Sequence, residues 1–189
     1  MNFCSECGSR LSSRERLGDR APRRVCPACG KVFYLDPRLV VACLAFHGDR
    51  VLLCRRGVEP AYGRWTLPSG FVDAGESTSA AASREALEEA RATVTLGRPY
   101  ALFHIPHANQ MQVVYLATLA EAACEAGSET LEARVFAEAE IPWADLAFVT
   151  TQVALRRYFE DRRDGLLGFH FSDVVEVSAR RSVPAALRP

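Results

Sequence analysis

The segment that decides the fold begins Gly70-Phe-Val-Asp-Ala-Gly-Glu76 and, after seven intervening residues, continues Arg84-Glu85-Ala-Leu-Glu88-Glu89-Ala-Arg91-Ala92. Ser77 through Ala90 is rich in alanine and predicts a helix, with Ser77 or Thr78 as its N-cap. On a helix, residues spaced i, i+3 and i+4 share one face, so the three glutamates of this segment stand together. Clustered carboxylates repel unless a cation lies among them, and Mg2+ prefers oxygen ligands. The segment therefore predicts a divalent-metal site.

This pattern resembles the signature box of the Nudix hydrolases. The six positions in register are Gly70, Glu76, Arg84, Glu85, Glu88 and Glu89. Arg91 stands where the box has its last glycine, which normally forms the turn that ends the helix. Ala86 and Ala92 are small for the aliphatic positions of the box. The alternative is a solvated helix in which Arg84 and Glu88 form an i, i+4 ion pair.

The resemblance implies hydrolysis of a nucleoside diphosphate linked to another group. It assigns Glu85, Glu88 and Glu89 as ligands of catalytic Mg2+ or Mn2+. Arg84 is expected to orient the glutamates, and Glu76 to act from the preceding loop. For the general base we expect Glu132, with Glu129 second, although both are equally interpreted as surface charges.

The segments on either side predict the rest of an α/β domain. Arg38–His47 and Arg50–Arg55 are apolar, β-branched runs around Gly48-Asp49 and predict a hairpin. Further strands are predicted in 93–104, 111–119 and 129–136, and a helix over Thr150–Arg163 ended by Gly165. Strands on both sides of one buried helix, with a second helix late in the chain, favour an αβα sandwich with a mixed sheet. That is the Nudix fold, and the resemblance covers 38–163.

The N-terminal residues contain a second pattern, with Cys4 and Cys7 in one Cys-x-x-Cys-Gly and Cys26 and Cys29 in another. Four thiolates suit tetrahedral Zn2+, so the spacing predicts a structural zinc ribbon. The alternatives are two disulfides or unrelated thiols. The chain is thus divided into a ribbon (1–33), a Nudix domain (38–163) and a C-terminal tail (164–189).

Composition limits the partners. The 189 residues carry 23 basic and 23 acidic side chains, so no net positive charge attracts nucleic acid or an anionic membrane. The longest apolar run has eight residues, too few to cross a bilayer. These features favour a cytoplasmic protein acting on a small nucleotide, with no membrane or nucleic-acid partner, and leave a homodimer open.

The substrate is predicted from a finer resemblance to ribbon-bearing Nudix proteins that include the plant plastid FAD pyrophosphatase. Segments such as Val51-Leu-Leu-Cys-Arg-Arg56 and Leu131-Glu-Ala-Arg-Val-Phe136 carry it. NADH diphosphatases share the ribbon but have a Ser-Gln-Pro-Trp-Pro-Phe-Pro segment that this chain lacks. We therefore expect FAD or ADP-ribose first and NADH as the alternative. The candidates for binding base and phosphate are Arg55, Arg56, Tyr62 and Trp65, the two aromatics being equally interpreted as core.

The alternative to a hydrolase is a protein that binds a ligand or nucleic acid without cleaving it. Zinc ribbons often contact nucleic acid, some Nudix domains act as ligand sensors, and the segment 10–24 is rich in arginine. The complete set of carboxylates argues against it, because a sensor has no need of them.

Overall fold

The computed structural model describes residues 1–14 and 22–174, which divide into two compact units, Met1–Pro37 and Arg38 onward. The first unit contains a three-stranded antiparallel sheet. Its strands are β1 (Ser12–Arg14), β2 (Arg23–Val25) and β3 (Val32–Phe33). Its small core consists of Cys4, Leu11 and Cys26, packed against Phe33. So small a core needs another source of stability, which a bound metal would supply.

The second unit is built on an eight-stranded mixed sheet. Its strands are β4 (Arg38–His47), β5 (Arg50–Arg56), β6 (Trp65–Thr66), β7 (Ser69–Phe71), β8 (Val94–Ile105), β9 (Gln110–Leu119), β10 (Thr130–Phe136) and β11 (His170–Asp173). Their order in the sheet is β10-β5-β4-β9-β8-β11, with β6 paired to β5 and β7 paired to β4. The β4–β9 and β8–β11 pairs are parallel and the other pairs antiparallel. The predicted mixed sheet is confirmed.

Two helices cover opposite faces of this sheet: α1 (Thr78–Ala90) and α2 (Val149–Asp164). Alternate residues of β4 show the division, because Cys43 packs with alanines of α1 whereas Leu44 packs with Leu155 of α2. Side chains along a strand alternate between faces, so each central strand contributes to both layers of the core. The αβα sandwich is therefore confirmed, including the end of α2 at Gly165.

The two ends of α1 are capped differently, the N-terminus by a side chain and the C-terminus by a left-handed backbone turn. Ser77 caps the N-terminus by accepting a hydrogen bond from the Ala80 N–H, as its residue type predicts. At the C-terminus Arg91 adopts the left-handed conformation, with φ of 51°. The Arg91 N–H donates to the Leu87 carbonyl, and the following N–H, of Ala92, donates to the Ala86 carbonyl. The turn that the box normally builds with glycine is thus kept, at the steric cost a side chain pays for positive φ.

One strand lies beyond what the sequence predicted. The strand β11 was not foreseen, and its edge pairing with β8 brings part of the 164–189 segment into the sheet. The rest of that tail, 175–189, lies outside the described residues, so the three-part division of the chain stays a prediction. Among the described residues no helix is long and apolar enough to span a membrane.

Candidate active site and metal centres

The carboxylates of the box meet where β7 faces α1. Gly70 lies in β7 opposite Glu85, and a Cβ built on it would stand 2.2 Å from Glu85 Oε1 and 2.6 Å from Oε2. The glycine is needed because the carboxylate occupies the space of a side chain. Glu85 is 8% exposed, and burial raises its pKa, opposed by the neighbouring Arg84. The close approach holds this carboxylate against the strand.

Arg84 is the centre of an ion-pair network. Its Nε and one terminal nitrogen donate to the two carboxylate oxygens of Glu76 at 2.9 and 3.0 Å. The other terminal nitrogen donates to Glu85 at 2.8 Å and Glu88 at 3.0 Å. A further bond, 3.0 Å long, reaches the carbonyl of Phe71. This geometry favours the orienting role of Arg84, which stays a prediction. The hydrogen bond from Arg84 lowers the pKa of Glu76.

Glu89 is the carboxylate that this network leaves out. Its Oε2 accepts a 3.2 Å hydrogen bond from the backbone N–H of Ser69, and in the described part of the chain no ion pair accompanies it. Burial raises its pKa to about 7, and the charges of Glu85 and Glu129 act in the same direction. Arg56 lies within electrostatic reach and opposes the shift. The site therefore holds more negative charge than its cations balance.

This donor set fits a hard divalent cation. Glu85, Glu88 and Glu89 offer only carboxylate oxygens, which suit Mg2+ or Mn2+ and do not suit a thiophilic metal. Burial and neighbouring negative charges raise the pKa values of Glu85 and Glu89. A cation among the carboxylates would offset both the loss of hydration and the repulsion.

The structure separates the two candidates for the general base. In the strand register Glu132 of β10 lies opposite Arg55 of β5, and Arg55 lies opposite Trp65 of β6. Residues directly opposite each other point to the same face of a sheet, and Trp65 belongs to the core beneath α2. Glu132 therefore projects from the face of the sheet away from α1. Glu129 instead raises the pKa of both Glu85 and Glu89 through its charge. Of the two, only Glu129 shares the carboxylate cluster.

Two glycines fix the backbone at Glu129, and no pattern in the sequence singles them out. The Gly127 N–H bonds the Glu89 carbonyl at 3.0 Å, and a Cβ on Gly127 would fall 1.7 Å from the Glu88 carbonyl oxygen. The Gly57 N–H donates to the Glu129 carbonyl at 2.8 Å, and a Cβ on Gly57 would stand 2.9 Å from that same oxygen. Both positions depend on contacts distant in sequence.

The substrate-binding candidates divide into loop and core. Arg55 donates from Nε to the Gly63 carbonyl and Arg56 to the Pro60 carbonyl, which closes the loop 57–63. Tyr62 on that loop is 58% exposed. Trp65 is buried and meets Phe136 edge-on at 4.9 Å. Because Trp65 is only 8% exposed and belongs to the core beneath α2, the structure favours its alternative interpretation, core packing, over the predicted stacking role.

A second candidate metal centre lies in the N-terminal unit. The four sulfurs of Cys4, Cys7, Cys26 and Cys29 all lie within 4.8 Å of one another. Each knuckle turns through a positive-φ glycine, Gly8 or Gly30, whose N–H bonds the carbonyl of the first cysteine. Backbone N–H groups also point at the sulfurs of Cys4 and Cys26. Four converging thiols with hydrogen-bonded sulfurs suit Zn2+.

Comparison with known proteins agrees with this geometry. Residues 36–160 match the family model described as NUDIX domain, and residues 2–35 match the model described as Nudix N-terminal, a zinc ribbon. The chain belongs to the NUDIX family. A solved NUDIX hydrolase from Nitrosomonas europaea is 40% identical with a TM-score of 0.89, and the match covers 92% of this chain and 99% of that one. The zinc ribbon and the NUDIX domain thus occur together in this chain.

Curated relatives are longer proteins. A protein of Stutzerimonas stutzeri named NAD-capped RNA hydrolase NudC is 39% identical over 46% of this chain and 30% of its own length. The mouse mitochondrial NAD(P)H pyrophosphatase NUDT13 is 30% identical over 82% of this chain and 41% of its own length. The chain therefore spans well under half of each. These names do not support the specific resemblance to a plant plastid FAD pyrophosphatase.

Proposed function

We propose that the chain is a metal-dependent pyrophosphohydrolase that cleaves dinucleotide-like nucleoside diphosphate derivatives and releases a nucleoside monophosphate. The observation that carries the proposal is the carboxylate cluster between β7 and α1. Buried glutamates without matching cations are costly for folding alone, so their presence favours a function that brings metal to them. When bound, the divalent metal would neutralise the pyrophosphate oxygens and make a water more nucleophilic.

The chain's own residues then have distinct tasks. Glu85, Glu88 and Glu89 would hold the metal, and Arg84 would keep Glu85 and Glu88 in place while it anchors Glu76 on the preceding loop. Glu129 is proposed as the general base in preference to Glu132, because its charge reaches the cluster. Arg56, whose charge also reaches Glu89, and the neighbouring Arg55 and Tyr62 are proposed for phosphate and base binding.

For the substrate we propose adenine dinucleotides, with NADH and ADP-ribose ahead of FAD. The relatives carry names that refer to NAD(P)H and NAD-capped RNA, and FAD does not occur in them. NADH, ADP-ribose and FAD share an ADP half, so one pocket can accept more than one of them. The lack of the Ser-Gln-Pro-Trp-Pro-Phe-Pro segment does not by itself exclude NADH, since the matching relatives are named for NAD(P)H or NAD-capped RNA.

A second candidate function is removal of an NAD cap from RNA. The name of the NudC relatives favours it, and it weakens the expectation that nucleic acid is no partner. The arginine-rich segment offers Arg14 on β1 and Arg23 and Arg24 on β2, whereas Arg16 and Arg20 lie outside the described residues. A cytoplasmic location and a homodimer also stay predictions.

The test is a panel assay with Mg2+ or Mn2+ on NADH, ADP-ribose, FAD and NAD-capped RNA, with products separated by chromatography. We expect AMP to be released from at least one dinucleotide and chelation to stop the reaction. Glu88→Gln and Glu89→Gln should each lower the rate by about 10²- to 10³-fold with little change in melting temperature. Tight binding of a dinucleotide without cleavage would replace the proposal with the sensor function.

The panel also carries a matched test of the base. Glu129→Gln should lower the rate by about 10²-fold, the range expected of a lost general base, and Glu132→Gln should leave it within twofold. The reverse ranking would return the role to Glu132.

A further inference from the structure

A buried side chain outside the carboxylate cluster has an unpaired polar atom. Gln112, in the middle of β9, is 7% exposed, and its Oε1 has no hydrogen-bond partner within residues 1–14 and 22–174. A buried amide oxygen without a partner costs about 1–3 kcal/mol of stability. An apolar residue of the same size would avoid that cost, so Gln112 needs an explanation other than packing.

The register of the sheet places Gln112 in a row of four side chains. Gln112 pairs with Val40 on β4 and with Phe103 on β8, and Val40 pairs in turn with Phe71 on β7. Directly paired residues point to the same face of a sheet. Phe103 belongs to the core beneath α2, so the row lies on the face away from α1.

The row begins beside the carboxylate cluster. Phe71 follows Gly70, whose own Cβ position points at Glu85 on the other face. Phe71 is 44% exposed as a residue, and the guanidinium of Arg38 lies 4.3 Å from the centroid of its ring. Neighbouring strands are about 4.8 Å apart, so Gln112 stands about 10 Å from β7 across the sheet. An exposed aromatic ring with a cation and a buried amide thus line one face of the strands next to the site.

We propose that Gln112 determines substrate specificity by pairing its primary amide with a complementary donor–acceptor edge of the substrate. The amide offers one acceptor and two donors, and its two ends exchange by rotation about the last side-chain bond. Two parts of an NADH-type substrate present such an edge: the amino-substituted edge of adenine and the carboxamide of nicotinamide. The inference rests on the proposed function, because it requires a dinucleotide substrate.

The experiment compares three substrates: NADH, its hypoxanthine analogue, which lacks the adenine amino group, and its 3-acetylpyridine analogue, which lacks the carboxamide NH2. The proteins are the full chain, Gln112→Met, Gln112→Leu and a matched control, Gln152→Met on α2. Steady-state kinetics with Mg2+ and thermal melts are measured for each.

We expect the unmodified chain to discriminate at least tenfold against one of the two analogues, which identifies the edge that Gln112 reads. Gln112→Met and Gln112→Leu should raise KM for NADH at least tenfold, leave kcat within twofold, abolish the discrimination and raise the melting temperature by a few degrees. Gln152→Met should change none of these values.

Three results would overturn the inference. In the first, KM for all three substrates stays within twofold in both Gln112 variants. In the second, both variants lose more than 10 °C in melting temperature, which would make the amide a structural group. In the third, the unmodified chain cleaves NADH and does not discriminate between the analogues. Absence of dinucleotide cleavage by the unmodified chain is a separate result, which would refute the proposed function itself and the inference with it.

Discussion

Replacing Gly70 by alanine tests how the carboxylate cluster is built. A Cβ at this position would stand 2.2 Å from Oε1, 2.4 Å from Cδ and 2.6 Å from Oε2 of Glu85, whereas real Cβ contacts are practically never under 3.0 Å. The atoms that must move belong to the end of a flexible side chain, so the backbone of β7 and α1 can stay in place. The Glu85 carboxylate must retreat by about 1 Å, a displacement that typically costs about 10² in rate.

We therefore expect Gly70→Ala to lower kcat/KM about 100-fold, which corresponds to about 2.7 kcal/mol of transition-state stabilisation. The melting temperature should fall by no more than about 3 °C, because only a side-chain terminus is displaced. The matched control is Gly168→Ala, whose Cβ would meet its neighbours at 3.7 to 3.9 Å, an ordinary contact. Steady-state hydrolysis of NADH with titrated Mg2+, together with thermal melts, measures both effects.

A double-mutant cycle with Glu85→Gln sharpens the test. If Gly70 acts through Glu85, adding Gly70→Ala to Glu85→Gln should change the rate by less than about threefold, because the two substitutions damage the same ligand. Additive losses would refute this reasoning, as would a Gly70→Ala enzyme of unchanged kcat/KM. A large drop in melting temperature would show that the strand, not the carboxylate, yields.

Three further outcomes are expected. Cys26→Ser should lose near-stoichiometric zinc from the purified chain, which elemental analysis detects; a metal-free unmodified chain with an ordered N-terminal unit would contradict the ribbon assignment. Arg91→Gly should raise the free energy of unfolding by about 1 kcal/mol in chemical denaturation, because glycine adopts the φ of 51° without strain, and an unchanged value would disprove that strain. Asp161→Asn should destabilise the chain by about 1–3 kcal/mol at neutral pH, since its Oδ2 accepts bonds from Tyr100, Gly168 and His170. Although burial opposes it, these bonds lower the pKa of Asp161, so their contribution is complete above its unfolded pKa near 4 and is lost as pH falls below it. In thermal melts from pH 3 to 7, the melting temperature of the variant should fall less steeply with decreasing pH than that of the unmodified chain.

Patterns that are local in sequence determined most of the fold. The i, i+3, i+4 glutamates, the Ser77 cap and the apolar runs predicted α1, α2 and the central strands to within a residue or two, because periodicity and capping depend on neighbours along the chain. The paired Cys-x-x-Cys-Gly motifs likewise placed four thiols that the structure brings together. The strand β11 escaped prediction because a segment of four residues is too short to show a clear hydrophobic alternation of its own.

What only the tertiary structure decided is which residues from distant segments share a face or a cluster. Glu129 and Glu132 are three residues apart, and nothing local shows that the register with β5 turns Glu132 away from α1. Trp65 is of a residue type that often stacks on bases, but in the structure it packs against Phe136 in the core. Gln112 is an unremarkable polar residue in the sequence, and its unpaired amide becomes visible only when four strands are aligned. Sequence records local propensity and motif spacing, whereas burial, strand register and electrostatic reach arise from long-range contacts that no single segment encodes.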